Sequence, residues 1–223
     1  MRSFVIGGVL AAAVLWPATA VAPVAAAASR NPCASWSSRF FPPRTIRVWV
    51  KANGGYVVER DFRTYVAEVM AAGAWPDAKY RPDASLEAGA LAIKQYAWYE
   101  VLHRPCDRTF RGQPYDIENG GIHQLWRPKG GLIEPTKRQF RAVDATWWDH
   151  IEKHGRFIRT GWTGSGGGCG EVRDGWHLYE DGVTACARQG KTYRQIVRLY
   201  YGPRYRLITA KPWRHPELTG VTR

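Results

Sequence analysis

Tyr65-Val66-Ala67-Glu68-Val69-Met70-Ala71-Ala72-Gly73-Ala74-Trp75-Pro76 decides how this chain is read. With Phe62 added, residues Phe62, Tyr65, Val66, Val69, Met70 and Gly73 fall on one face at helical spacing. The helix stops at a Gly-Ala-Trp-Pro corner, where proline has no N–H to continue it. Upstream, Ile46, Val48 and Val50 alternate, and Asn53-Gly54-Gly55 turns the chain into residues 56–59, which is the pattern of a β-hairpin. Downstream, residues 75–84 hold Pro76 and Pro82 and read as a loop. A second helix is expected over residues 85–103, with Leu86, Ala90, Ile93, Ala97 and Val101 in a single stripe.

Beyond it, residues 104–135 have no helical period and predict loops and short strands. Thr136 with Gln139 matches a capping box, opening a helix with Phe140, Val143, Trp147 and Ile151 on one side. Residues 157–162 read as a strand running into Gly-Ser-Gly-Gly-Gly-Cys-Gly at 164–170. A short helix at 181–189 ends at Gly190. Thr192 and Gln195 repeat the capping box, and that helix stops at Gly202-Pro203. There is no internal repeat and no interdomain linker. The fold class is α+β: one domain with an N-terminal β-hairpin, several amphipathic helices and short strands.

The chain has 223 residues, which suits one domain or a compact pair of lobes. Arg2, an apolar run from Phe4 to Trp16 and an alanine-rich tail describe a secretory signal peptide over residues 1–29. Cleavage is expected between Ala26 and Arg30. Pro17 and Pro23 interrupt the run and argue against a membrane anchor. The expected layout is then an N-terminal segment at 30–44, the domain at 45–205 and a tail at 206–223. Export places the four cysteines, Cys33, Cys106, Cys169 and Cys186, in an oxidising compartment, where two disulfides are favoured over free thiols. Three pairings are open to them. The preferred one is Cys33–Cys106 with Cys169–Cys186, because the second pair lies in one C-terminal region. No C-x-x-C spacing suggests zinc.

The net charge of +13 points to an anionic partner such as a wall polymer or lipid headgroups. Nucleic acid would suit a cytoplasmic chain of this charge, but the export signal and the lack of a zinc-finger or RNP-type motif speak against it. Eleven tryptophans and eleven tyrosines offer faces for sugar stacking or simply core filling.

Five stretches, in order, resemble the SpoIID/LytB family of peptidoglycan-acting proteins. They are the hairpin leading into residues 65–70; Ser85-Leu86-Glu87-Ala88-Gly89-Ala90 running on to Tyr96-Ala97-Trp98-Tyr99; residues 116–126, with Gln124 and Trp126 at the family's Gln and Tyr positions; Ala142-Val143-Asp144-Ala145-Thr146; and residues 187–196 ending in Tyr200-Tyr201-Gly202-Pro203. Together they span residues 45–203. The resemblance implies a lytic transglycosylase-like protein acting on glycan strands, with no cofactor or metal. One acid of raised pKa protonates the glycosidic oxygen, then takes a proton as the muramic 6-hydroxyl attacks, leaving a 1,6-anhydro end. Ordinary glycosidases use two carboxylates.

At the position of the family's catalytic glutamate this chain has Gly73, or Ala74 if aligned on the tryptophan. Neither moves a proton. Three acids stand as substitutes. Glu68 lies opposite the apolar stripe and is expected to be solvated. Asp77 sits in the loop just beyond the corner and is the best-placed substitute. Glu100 is on the inward side of the second helix, where half-burial would raise its pKa. The family's H-G-x-G-M-S-Q-x-G-A becomes Gly175-Trp176-His177-Leu178-Tyr179-Glu180-Asp181-Gly182-Val183, so Tyr179-Glu180 replaces Ser-Gln. A groove lined by Gly73, Gln124, Trp126, Ser165, Gly166, His177 and Tyr179 is the expected substrate site. With the acid missing, glycan binding or regulation of another wall hydrolase is favoured, and cleavage with a relocated acid is the alternative.

Other constellations carry less. The glycine run lacks the Gly-Lys-Ser/Thr ending of a P-loop. His150 and His154 have a metal-capable spacing on an expected helix, but Ile151 stands where a zincin has glutamate, and packed histidines are the expectation. Gly-x-Ser-x-Gly is only mimicked by Gly164-Ser165-Gly166, with no strand-to-helix elbow.

Overall fold

The computed structural model describes residues 31–52, 54–76, 78–120, 124, 126, 134–164 and 167–210. The hairpin is β1 (Thr45–Val50) and β2 (Tyr56–Asp61), antiparallel, with Val50 opposite Tyr56. Strand alternation turns Ile46, Val48 and Val50 fully inward. Asp61 ends β2 and accepts from the Thr64 amide at 2.9 Å, capping α1 (Phe62–Val69). A wider π turn follows over Met70–Ala74, closed by Trp75 N–H to the Met70 carbonyl at 2.8 Å. A 3₁₀ turn at Ala78–Tyr80 leads into α2 (Asp83–Leu102).

Short strands β3 (Thr109–Phe110), β4 (Gln113–Pro114) and β5 (Ile117–Glu118) precede α3 (Lys137–Ala145). Then come β6 (Asp149–Lys153), β7 (Arg156–Phe157), β8 (Gly161–Thr163), β9 (His177–Tyr179), α4 (Glu180–Arg188), α5 (Tyr193–Tyr201) and β10 (Tyr205–Thr209). One sheet has the order β2-β1-β5, with β5 parallel to β1. A second, antiparallel, has the order β10-β6-β7. β3 pairs with β4, and β8 lies parallel to β9. The fold is mixed α+β, as the sequence predicts. Both capping boxes form, at Thr136/Gln139 and Thr192/Gln195.

α2 is the axis on which the rest assembles, since α1, α3, α4, α5, β6 and β8 all touch it. The single apolar stripe read from its sequence is only one side of it. Fifteen of its twenty residues are buried, among them Ser85, Lys94 and Gln95. A helix enclosed on all sides satisfies neighbours through its polar side chains. Gln95 donates to the carbonyls of Ile151 (3.0 Å) and Ile158 (2.9 Å) and accepts from the Ile151 amide at 3.0 Å, holding β6 to the helix.

Three sequence expectations fail here for physical reasons. α3 ends at Ala145, so Trp147 and Ile151 are not on its face. The Thr146 hydroxyl bonds back to the Ala142 carbonyl at 3.0 Å. The Lys94 ammonium takes the carbonyls of Thr146, Trp147 and Asp149, which a longer helix would have spent on its own amides. His150 is therefore on strand β6 and His154 in the following turn at φ 54°, and they form no helical pair. Residues 157–162 are two strands of different sheets, β7 and β8, joined through buried Ile158 and Thr160. Finally, residues 206–209, assigned to a tail, pair with β6.

The disulfides are Cys33–Cys106 and Cys169–Cys186, the expected pairing. They suit an oxidising compartment. Among the described residues no helix is long and apolar enough to cross a membrane.

The Gly-Ala-Trp-Pro corner is held by packing. The Trp75 ring is fully buried and lies flat on Gly89, where a Cβ would come 2.5 Å from ring atom Cδ2. Gly89→Ala is therefore expected to cost about 2 kcal/mol through overpacking, although alanine is the better helix former. Urea unfolding reads this directly. A stability equal to or above the parent's would mean that Trp75 yields at no cost.

Candidate functional site

Each acid predicted near the corner has a definite place. Glu68 is buried, contrary to the expected solvated role: Arg60 donates to one carboxylate oxygen and Trp126 Nε1 to the other at 2.7 Å. Arg60 of β2 and the Trp126 ring, packed against each other, close over that side of α1, which a helical-wheel argument cannot see. Glu100 is also buried, and it sits between two guanidiniums, Arg108 Nη1 at 2.9 Å and Arg159 Nε at 3.0 Å. Its carboxylate is committed to ion pairing. Asp77 lies outside the described residues.

The expected groove does not assemble as a whole. Gly73 is exposed, as an active-site position would be. Gln124 is in the core, accepting from the Tyr65 hydroxyl at 2.8 Å and donating to the Ile93 carbonyl at 2.9 Å. Trp126 is likewise buried. These two residues support α1 and α2 and face no open groove. Ser165 and Gly166 are outside the described residues.

His177 and Tyr179 do come together, on the exposed side of β9. Asp174 joins them. Its Oδ1 accepts from the amides of Trp176 and His177, both at 2.8 Å, while Oδ2 holds the His177 ring nitrogen Nδ1 and, at 3.4 Å, the Tyr179 hydroxyl. Partial burial would raise this carboxyl's pKa, but the two amides and the imidazole outweigh it and hold the group below the usual carboxylate range. The imidazole lies against Gly161, where a Cβ would sit 2.3 Å from its Cδ2. Trp176 is exposed beside this dyad, with Lys153 Nζ 4.1 Å from its ring centre.

β9 runs directly into α4, and there the structure has a site that the sequence reading missed. A cavity of about 390 Å³ lies between Tyr80–Arg81, Gly167 and one face of α4: Asp181, Thr184, Ala185 and Arg188. Those four residues stand at i, i+3, i+4 and i+7, the period of a helical stripe, and that spacing was legible in the sequence. The cavity is tied to the corner through a chain of hydrogen bonds. Trp75 Nε1 donates to Ser85 Oγ (3.2 Å), which meets Thr184 Oγ1 (3.1 Å). Thr184 donates to the Glu180 carbonyl at 2.8 Å and accepts from Arg81 Nη1 at 2.7 Å. With the threonine proton spent on that carbonyl, Ser85 must be the donor between the hydroxyls. Glu180, at the start of α4, is buried beside Arg81, with Nη2 to Oε2 at 3.4 Å. Burial pushes its carboxyl up to about 7, and the guanidinium only partly opposes this. The glycine loop is clamped on the far side: Gly170 N–H donates to Tyr200 Oη at 3.1 Å, and Cys169 is bonded to Cys186 of α4.

No protein-family model matches this chain, and no curated protein matches it. The SpoIID/LytB resemblance rests on the stretches of sequence quoted above.

His150 belongs to none of these places. It is fully buried in a box of aromatic rings, Phe40, Trp98 and Phe157, and neither ring nitrogen has a hydrogen-bond partner among the described residues. Among the described residues no group of three or more His, Cys, Asp or Glu could hold a metal ion.

Proposed function

We propose that this is an exported cell-wall protein of the SpoIID/LytB type that engages peptidoglycan glycan strands as a binding or regulatory module. The observation that carries this reading is the state of the corner. Gly73 is open to solvent at the place of the family's acid, and both described carboxylates expected to replace it, Glu68 and Glu100, are closed in buried ion pairs. What remains accessible is suited to binding: Trp176, His177 and Tyr179 on and beside β9, and Tyr80, 68% exposed, at the cavity. Aromatic faces and neighbouring cations favour sugars that carry negative groups. Export is supported by the N-terminal pattern and the two disulfides. Anionic wall polymers and a second wall hydrolase are the further partners this reading admits, and nucleic acid is not one of them.

A second reading, cleavage with a relocated acid, would fall to Glu180. Like the other two acids it is buried beside an arginine, but it is paired more loosely, with Arg81 at 3.4 Å. Burial pushes its carboxyl up to about 7, in the range of a general acid at neutral pH. One experiment separates the two. Purified mature protein is incubated with glycan strands, with and without stem peptides, and the strands are examined by mass spectrometry and pull-down. The expected result is strands bound and intact. Products ending in 1,6-anhydromuramic acid, abolished in Glu180→Gln, would replace binding by cleavage. Strands neither bound nor cut would sink both readings.

A further inference from the structure

We infer that the cavity on α4 is a subsite for a group carrying both a carboxylate and an ammonium, the free α-amino-acid end of a wall peptide. The inference rests on the proposed engagement of peptidoglycan for its choice of ligand source, and on the cavity itself for the chemistry.

Size comes first. A cavity of about 390 Å³ is more than ten times the ~30 Å³ share of one water, so it suits an organic group better than a lone ion. Charge comes next. Asp181 stands at one end of the α4 stripe and Arg188 at the other, with small Thr184 and Ala185 between them. Seven residues at about 1.5 Å each separate their Cα atoms by roughly 10 Å along the axis. Both are exposed, and neither makes an ion pair or side-chain hydrogen bond with another described residue. Across the cavity, Arg81 is fixed by Thr184 and Glu180, yet its Nε is buried without a partner. Of the other acids nearby, Glu180 is paired with Arg81, and Glu171 is turned into the glycine loop, where it accepts from the Gly168 amide at 2.6 Å. The cavity thus presents an uncommitted anion, Asp181, and an uncommitted guanidinium, Arg188, to the same volume. A simple anion would leave Asp181 as a repulsive neighbour, and a simple cation would face two arginines. A ligand with both charges satisfies both ends. Tyr80 supplies an open ring for the ligand's aliphatic stem, and Gly167 brings backbone close to it without a side chain.

The test uses three probes of related carbon skeleton against the purified mature protein by titration calorimetry at pH 7.5. They are meso-2,6-diaminopimelate, pimelate without the amines, and 1,5-diaminopentane without the carboxylates. The expected result is that diaminopimelate binds at least about tenfold tighter than either single-sign probe. Asp181→Asn and Arg188→Gln should each weaken it by about tenfold while lowering the urea midpoint only slightly, since both side chains are exposed and lose only a favourable place at an end of α4. Equal binding of pimelate would overturn the inference in favour of an anion site. Absence of diaminopimelate binding would also overturn it. The pull-down of glycan strands keeps the two proposals apart. Strands retained without probe binding would leave glycan engagement standing and remove this subsite. Probe binding without strand retention would do the reverse.

Discussion

Lys94→Met is expected to lower unfolding stability by about 3 kcal/mol or more. Lys94 is fully buried near the middle of α2, and its Nζ donates to the carbonyls of Thr146, Trp147 (2.8 Å) and Asp149 (2.7 Å). These carbonyls lie just beyond α3, where helix geometry leaves C=O groups unpaired. Lysine side chains are a known way of closing such ends. Methionine has similar length and no proton to give, so three buried acceptors below pH 7, where the ammonium is present, and two above it would lose their partner at about 1–3 kcal/mol each. Removing a buried ammonium gives some of that back. Burial pushes Lys94 down to about 7, against the pull of Asp149. A lowered lysine pKa means that stability is fully present above about 10.5 and is lost as pH falls through 7. The penalty for Lys94→Met is therefore larger at pH 9 than at pH 6. Urea titrations at both values check the size and the trend. A change below about 1 kcal/mol would mean that water replaces the ammonium and that α3 ends for another reason.

Lys94 also shows where sequence reading succeeds and fails. Local signals were legible: the hairpin turn, both capping boxes and the helix stop at Gly202 depend on residues a few places apart. The disulfide pairing was legible as a preference, since Cys169 and Cys186 lie in one C-terminal region. The end of α3 was not, because a residue 52 positions away fixes it. The burial of Glu68 was equally hidden. Its partners are Arg60, on the preceding strand, and Trp126, 58 residues on. In the candidate site, His177 and Tyr179 followed from a motif and were brought together, whereas Gln124 and Trp126 followed from the same kind of match and lie in the core. The α4 cavity needed a tertiary fact, the approach of Tyr80–Arg81 to that helix, although the helix stripe itself was open to view.

The stability of this protein is expected to change little between pH 7 and pH 4.5, and the flatness hides two opposing groups. His150 is buried among aromatic rings, and its pKa falls from 6.5 to about 4, chiefly by desolvation, with Lys94 and Arg39 adding repulsion and Asp149 opposing. Glu152 Oε1, 3.7 Å from Nε2, would welcome the proton, but burial dominates. A lowered histidine pKa contributes stability that is fully present above 6.5 and is lost as pH falls to about 4. At 1.36 kcal/mol per unit the whole loss is about 3 kcal/mol. Glu180 behaves oppositely. Its pKa is raised from 4.5 to about 7, so the protein gains stability as pH falls through that same window. The gain is at most about 3 kcal/mol, limited because the neighbouring Arg81 guanidinium favours the ionised carboxylate. Single substitutions separate them. In Glu180→Gln only the histidine remains, and stability should fall by about 2 kcal/mol from pH 7.5 to pH 5. In His150→Phe, which keeps an aromatic ring in the aromatic box, stability should instead rise on acidification. Urea midpoints of the three proteins across that range decide the matter. If Glu180→Gln stays flat, His150 finds a partner for its proton inside the box, and the two groups do not oppose each other.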